Sequence, residues 1–404
     1  MLSVLNSNKA INKPPLPTAY LDHHEKYYYS KRVFHITVTN LCRYILNKSE
    51  NYYISPSIIN YIPHPWIKEH TGTILEIDLS TLAKIVNAIN NSSLYTRIPR
   101  YEYTDGKHLI HVSIETFNFE LFMKLGEFKY TIDPYGRNIL HLAYIHHNVD
   151  VIEYLKNTSY RKSEEYVSTI DNGRDMYNNT PREVFEWKKG IDRVDYSEEW
   201  DFDRYMFYLK PLIIENCFPE LDWTTDRFIE KFGDIKMSLC SLPYINDNVG
   251  KNLKELVVRT DLTPSEYIFQ NVGKDKNHVG LLNEIDKYIS PFLHSKAMFA
   301  KVLDYQFYLG GINSGSYVHI HTDALNFLFE GIKEWYIAPF ILGTYSYESP
   351  QSWTKKCSSR YESFIQKSGE MVYIPGHHAH AILNKERNIG FACEFSYKDF
   401  KRSE

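Results

Sequence analysis

Cysteine is scarce in this chain and shows no pairing pattern. The five cysteines, Cys42, Cys217, Cys240, Cys357 and Cys393, are odd in number, far apart and never in a CxxC spacing. That argues against a disulfide framework or a zinc module and for reduced, mostly buried thiols in a cytosol-like compartment. Long apolar runs are also lacking, since nothing approaches the roughly 18 residues of a membrane helix. The opening MLSVLNSNKAINKPPLP has no basic region followed by an apolar one, so it does not read as a secretory signal. There is no basic excess either: 46 Lys and Arg stand against 50 Asp and Glu, for a net charge of −4. This balance speaks against a nucleic-acid or anionic-membrane partner, because an RNA-binding face would have to come from a local patch. The expected location is the cytoplasm or nucleus, or a host cell for an exported effector.

What is present is apolar material, 43% of 404 residues, enough for two or three domains with cores of their own. Residues 1–100 read as an arm rich in proline (Pro14, Pro15, Pro17) and then a mostly helical region. There, Leu79, Leu82, Ile85, Val86 and Ile89 recur at helical spacing. Residues 101–190 carry a repeat. In DPYGRNILHLAYIHHNVDVIEYLKN (133–157), Asp133 and Gly136 suit a turn, Asn138 to His141 open a helix, and Ala143 is small enough for a close helix pair. Val151, Ile152 and Leu155 line a second helix. A weaker copy precedes it at His108 to His111 and Phe119 to Leu125, and a third follows at Asp175, Asn178, Thr180 and Pro181. From His111 to His141 is 30 residues. These segments resemble ankyrin repeats, whose period is about 33 residues. The resemblance implies a stack that docks a protein substrate or partner, or else one that props up the neighbouring domain. A polar stretch, 191–206, reads as a linker.

Residues 207–404 change pattern. KPLIIEN (210–216) is an apolar strand led by Pro211. A helix follows Trp223 and Thr224 and stops at Gly233, and IKMSLCSL (235–242) is a further strand. LTPSEYIFQ (262–270) predicts a helix with Thr263 as cap, Pro264 in the first turn and Glu266 three residues past the cap. Next comes His321-Thr322-Asp323, two potential ligands that share one strand face. GEMVYIPGHHAHAILN (369–384) places His380 five residues after Pro375 and Asn384 four beyond that.

This order resembles the JmjC hydroxylases, over roughly half the chain. The resemblance implies a double-stranded β-helix, or jelly-roll barrel, so the fold class expected is multidomain α+β. It also implies one iron(II) held by His321, Asp323 and His380, two imidazoles and a carboxylate on one octahedral face. An ungapped comparison of LGGINSGSYVHIH instead puts His319 and His321 at the two ligand positions, giving a three-histidine set with His380 like that of some thiol dioxygenases. Lys333, in Asn326-Phe327-Leu328-Phe329-Glu330-Gly331-Ile332-Lys333-Glu334-Trp335, matches the lysine that clamps the far carboxylate of 2-oxoglutarate, and Asn326 matches an asparagine beside the metal. Ser316 joins that pocket only in the three-histidine register. His377 and His378 fall at the rim.

The implied chemistry uses O₂ and 2-oxoglutarate to hydroxylate a protein side chain, with succinate and CO₂ as co-products. A repeat asparagine of the chain itself, Asn148, is one conceivable target. Ala392 and Glu394 depart from the family's Thr and Asn near the co-substrate. They motivate a second reading, an inactive JmjC and ankyrin interaction scaffold; a third, implied by what relatives in the family act on, is an RNA or tRNA hydroxylase.

Overall fold

A computed structural model describes residues 109–397 with short interruptions, the longest at 258–266 and 339–349. The expected arm, the helix at 79–91 and the rest of 1–108 lie outside the described residues.

The first described elements are helices in pairs: α1 (Leu109–Glu115) with α2 (Phe119–Lys124), then α3 (Ile139–Ile145) with α4 (Val149–Asn157). A short helical stretch, Glu164–Tyr166 continued by Val167–Asp171, and then helix α5 (Pro181–Trp187) follow. Each buries an apolar stripe in a shared core of Ile110, Ile114, Phe122, Leu142, Val151 and Leu155. Ala143, fully buried in that core, keeps the α3 surface small where its neighbours approach.

The turns before α3 and α5 are built alike, 42 positions apart. The Asp133 carboxylate accepts from the amides of Tyr135 and Arg137, and Asp175 accepts from those of Tyr177 and Asn179. The fourth residue of each turn, Gly136 (φ 77°) and Asn178 (φ 60°), takes the left-handed conformation that Gly and Asn tolerate best. His111 and His141 recur in a common role, each placing Nε2 2.9 Å from a backbone carbonyl of the following turn, Thr131 and Asn179.

The stretch expected as a linker is ordered structure. It contributes β1 (Asp192–Asp195), parallel to β2 (Leu212–Glu215), and helix α6 (Phe202–Phe207). Its polar composition misleads because the strand is short, at a sheet edge and half exposed. Lys188 secures this junction. Its buried ammonium donates to the carbonyls of Ile145 in α3 (2.7 Å), Tyr208 (2.5 Å) and Leu209 (3.1 Å).

Beyond it, α7 (Thr225–Phe232) is capped by Thr224 and stops at Gly233, as expected. The predicted strand 235–242 divides into β3 (Lys236–Met237) and β4 (Leu239–Leu242), followed by β5 (Ile245–Asn246) and β6 (Lys251–Asn252). The helix predicted over 262–270 is not formed in its described part: Tyr267–Asn271 is strand β7. The run Tyr-Ile-Phe suits a pleated surface, and pairing with β4 and β8 (Ala300–Gly310) outweighs the local cap signal. Helix α8 (Val279–Lys296) precedes β8.

The remaining strands are β9 (Asp323–Glu330), β10 (Ile332–Ala338), β11 (Glu362–Lys367), β12 (Met371–Ile374), β13 (Ala379–Asn384) and β14 (Asn388–Tyr397). The result is a mixed α/β molecule with a nine-stranded mixed sheet, β1-β2-β12-β9-β14-β8-β7-β4-β5, and a smaller sheet, β11-β10-β13. Residues 313–316 and His319 extend the smaller sheet along β13 through bonds such as Ile382 N–H to the Ser316 carbonyl (3.1 Å). The two sheets pack face to face through Ile213, Val372 and Ile374 on one side and Trp335, Ile337 and Ile382 on the other. The Trp335 indole donates to Gln366 (2.9 Å), whose amide in turn donates to the Asn326 carbonyl of the larger sheet (3.0 Å). Cys217 and Cys393 are buried free thiols, and no described helix is long and apolar enough to cross a membrane.

Candidate metal centre and the adjoining cavity

His319 and His380 sit opposite each other and exchange both backbone hydrogen bonds at 3.0 Å. Directly opposed residues project to the same face of a sheet, and their rings stand 4.2 Å apart between centroids. His321, two residues along, shares that face. Its ring lies 5.2 Å from that of His319 and 4.5 Å from that of His380. One ligand nitrogen from each of the three falls within 4.8 Å of the others, and among the described residues this is the group able to hold an ion.

The donor chemistry fits a divalent transition metal. His380 is almost fully buried, and its Nδ1 lies 3.0 Å from the His378 carbonyl. The proton therefore sits on Nδ1 and leaves Nε2 as the coordinating atom, a standard arrangement for metal-bound imidazole. Burial first, then the neighbouring His319 and His321, hold the His380 pKa well below the ordinary imidazole range, so it is neutral and ready to ligate.

Asp323 is placed differently. Its carboxylate accepts from the Tyr373 hydroxyl (2.7 Å) and the Gly376 amide (3.0 Å), and it is not a member of the three-residue group. Of the two ligand sets legible in sequence, the structure gathers His319, His321 and His380. It turns Asp323 toward the Pro375 corner. His378 is buried behind His380, and its Nδ1 has no hydrogen-bond partner among the described residues. His377 lies outside them.

Lys333 lies on β10, where it pairs with Asn384 of β13, while Ile337 pairs with His380. Lys333, Trp335 and Ile337 thus face the same interior as Asn384, Ile382 and His380. A small cavity of about 20 Å³ lies there, room for about one water, lined by Lys333, Asn326, Ser316, Asn384, Asn388 and Tyr267 among others, none of the lining residues being acidic. Lys333 is buried, and its ammonium has no hydrogen-bond acceptor among the described residues; the Tyr308 ring, 3.1 Å away at its centroid, is its neighbour. Burial pulls its pKa well down. The Asn384 amide nitrogen donates to Ser314 Oγ (2.9 Å), which points Asn384 Oδ1 elsewhere, buried and unpaired. Asn326, expected beside the metal, lines this cavity.

Ala392 and Glu394 lie on β14. Ala392 pairs with Asn326 across β14 and β9, and Glu394 accepts from Gln306 (2.9 Å) rather than lining the Lys333 cavity. Sequence reasoning passed over Tyr308, Tyr267 and Asn388. The alternation of β8 marks Tyr308 as facing one side of the sheet, but nothing local tells which side is the interior.

Asn148 is poorly placed as a target within its own chain. It is buried, caps α4 by accepting from Val151 (3.2 Å), and donates to the Ile114 carbonyl (2.9 Å).

No family model matches the chain, and a search of curated proteins finds no match.

Proposed function

We propose that this chain is an iron(II)- and 2-oxoglutarate-dependent oxygenase of the JmjC hydroxylase kind, acting on a protein side chain. In this reading the face-to-face sheets are its jelly-roll barrel, and the helix pairs of 109–187 are ankyrin-like units that dock the substrate or a partner. One observation carries the reading: a buried lysine in an acid-free cavity, with no acceptor among the described residues, lies on the same sheet face as three converging imidazoles.

A buried ammonium needs an anionic partner, and the cavity offers Lys333 none. A dicarboxylate would supply it. His380 and Asn384 mark the two ends of the site, four residues apart on β13, about 13 Å at the usual strand rise. A five-carbon 2-oxo dicarboxylate, bound to the ion at one end and to Lys333 at the other, would lie along that face.

The ligands proposed are His319, His321 and His380. Three neutral imidazoles leave a divalent ion its full charge, which a dianionic co-substrate offsets. When bound, iron and the 2-oxo acid would supply from O₂ the oxidant that hydroxylates a nearby C–H bond, with release of succinate and CO₂. The chain's own work is to orient His380 through the His378 carbonyl, to seat the far carboxylate on Lys333, and to keep water out with Trp335 and Ile382.

The test is succinate formation from 2-oxoglutarate by the full chain with iron(II), ascorbate and O₂. Slow turnover is expected even without substrate, and its loss in both His380→Ala and Lys333→Ala. Stoichiometric iron with no succinate and no 2-oxoglutarate binding would instead support a non-catalytic scaffold.

A further inference from the structure

Tyr308 sits between the two groups of the cavity that a dicarboxylate would meet. It comes from β8 in the larger sheet, whereas Lys333 comes from the smaller one. Its ring is the surface under the Lys333 ammonium. Its hydroxyl reaches the other way and shares its proton between Asn326 Oδ1 (2.8 Å) and the Phe327 carbonyl (2.5 Å).

The side chain is locked in place. Gly390 of β14 is the residue opposite Tyr308. A Cβ at Gly390 would fall 2.3 Å from the Tyr308 hydroxyl oxygen and 2.0 Å from the Phe327 carbonyl oxygen. That glycine therefore leaves the space the hydroxyl occupies. Burial holds the phenol neutral, well above its ordinary pKa.

The charges around Lys333 can be named strand by strand. β8 and β7 bring the phenols Tyr308 and Tyr267, while β9, β13 and the start of β14 bring Asn326, Asn384 and Asn388. Opposite on β11 is Gln366. The acids on these strands are engaged elsewhere: Asp323 by Tyr373 and Gly376, Glu330 by Thr225, Glu394 by Gln306, Glu334 by Lys385 and Asp304 by Asn271, while Glu362, across from Ile337, feels the charge of Lys210. Among the described residues, the group favouring the charged form of Lys333 is the Tyr308 ring. An aromatic face attracts a cation, and more strongly when desolvated.

We infer that Tyr308 is the positioning residue of the anion site, its ring presenting the Lys333 ammonium to the far carboxylate and its hydroxyl fixing Asn326 alongside. This rests on the dicarboxylate reading of the cavity. Ligand binding then completes the charge on Lys333, so it draws in a proton, and affinity falls as pH rises.

The experiment is calorimetric titration of 2-oxoglutarate into the metal-free full chain with a chelator present, from pH 6 to 9, in buffers of different ionisation enthalpy. The wild type is expected to bind with proton uptake that grows with pH. Tyr308→Phe keeps the ring and is expected to bind within about threefold of wild type with the same pH midpoint. Tyr308→Leu loses the ring, and is expected to bind about tenfold more weakly with its midpoint moved to lower pH. Lys333→Met is expected not to bind. If the wild type binds no better than Lys333→Met, the dicarboxylate reading itself fails. If the wild type binds, Lys333→Met does not, and Tyr308→Leu matches wild type in affinity and midpoint, the role of Tyr308 is overturned. Should Tyr308→Leu not fold, Tyr308→Met, which also lacks the ring, is read by the same criteria.

Discussion

His319 faces His380 across an antiparallel pair that exchanges two backbone hydrogen bonds at 3.0 Å, so the register of two strands, not a flexible side chain, sets the spacing of the imidazoles. A metal centre on these residues would depend on backbone pairing as much as on its ligands.

His319→Ala and His380→Ala should each weaken iron(II) or cobalt(II) binding by more than the roughly 10–100-fold that loss of a supporting hydrogen bond costs. Asp323→Asn should leave metal stoichiometry unchanged, because that carboxylate serves Tyr373 and Gly376. Equilibrium dialysis of the three variants decides between the ligand sets. Loss of the ion in Asp323→Asn with retention in His319→Ala would reverse the assignment.

Gly315 has φ 154°, and a Cβ there would fall 1.9 Å from the Ile382 carbonyl oxygen. Gly315→Ala should push residues 313–316 off β13 and carry His319 out of register. Metal binding is expected to drop sharply while the helix pairs of 109–187 keep their hydrogen-exchange protection. Unaltered metal affinity in this variant would mean that the pairing does not position His319.

Acid should weaken the fold through His147. Burial, with Lys188 nearby, pushes its pKa down to about 3. The unfolded chain titrates this group near 6.5, so below that pH the unfolded state binds the extra proton. Stability therefore falls as pH drops from about 6.5 toward 3, by up to about 1.4 kcal/mol per unit. His147 has φ 54°, a conformation that asparagine tolerates. Urea midpoints at pH 7.5 and 5 should differ less in His147→Asn than in wild type, by the equivalent of roughly 2 kcal/mol. An identical acid loss in both would remove His147 from the account.

Lys188 joins α3 to the segment entering β2 by serving three carbonyls. Lys188→Met abandons all three, at roughly 1–3 kcal/mol for each buried group left unpaired. A loss of about 3 kcal/mol or more in global stability is expected from denaturant unfolding. A loss under about 0.5 kcal/mol, the size of an ordinary surface change, would show that the junction is held by other means.

Much of this was legible from residue order alone. The twin turns at Asp133 and Asp175, the Thr224 cap and Gly233 stop of α7, and the strand at 212–215 follow from short-range chemistry. The ligand choice did not, because a spacing of two puts His319, His321 and Asp323 on one face and cannot say which pair meets His380. Which of them gather with His380 depends on which residue lies across the strand, a long-range fact. The same limit explains Tyr267–Asn271, where a good capping sequence lost to pairing on both sides, and residues 191–206, whose polar surface concealed an edge strand. Tyr308 carried no motif at all; its place under Lys333 exists only once two sheets have closed on each other.

The most direct test of the central claim is anaerobic titration of 2-oxoglutarate into the iron(II)-loaded full chain, followed by visible absorption. A weak charge-transfer band that saturates at one equivalent, and that is absent in Lys333→Ala, is the predicted result. Stoichiometric iron with no band at any concentration of 2-oxoglutarate would contradict it.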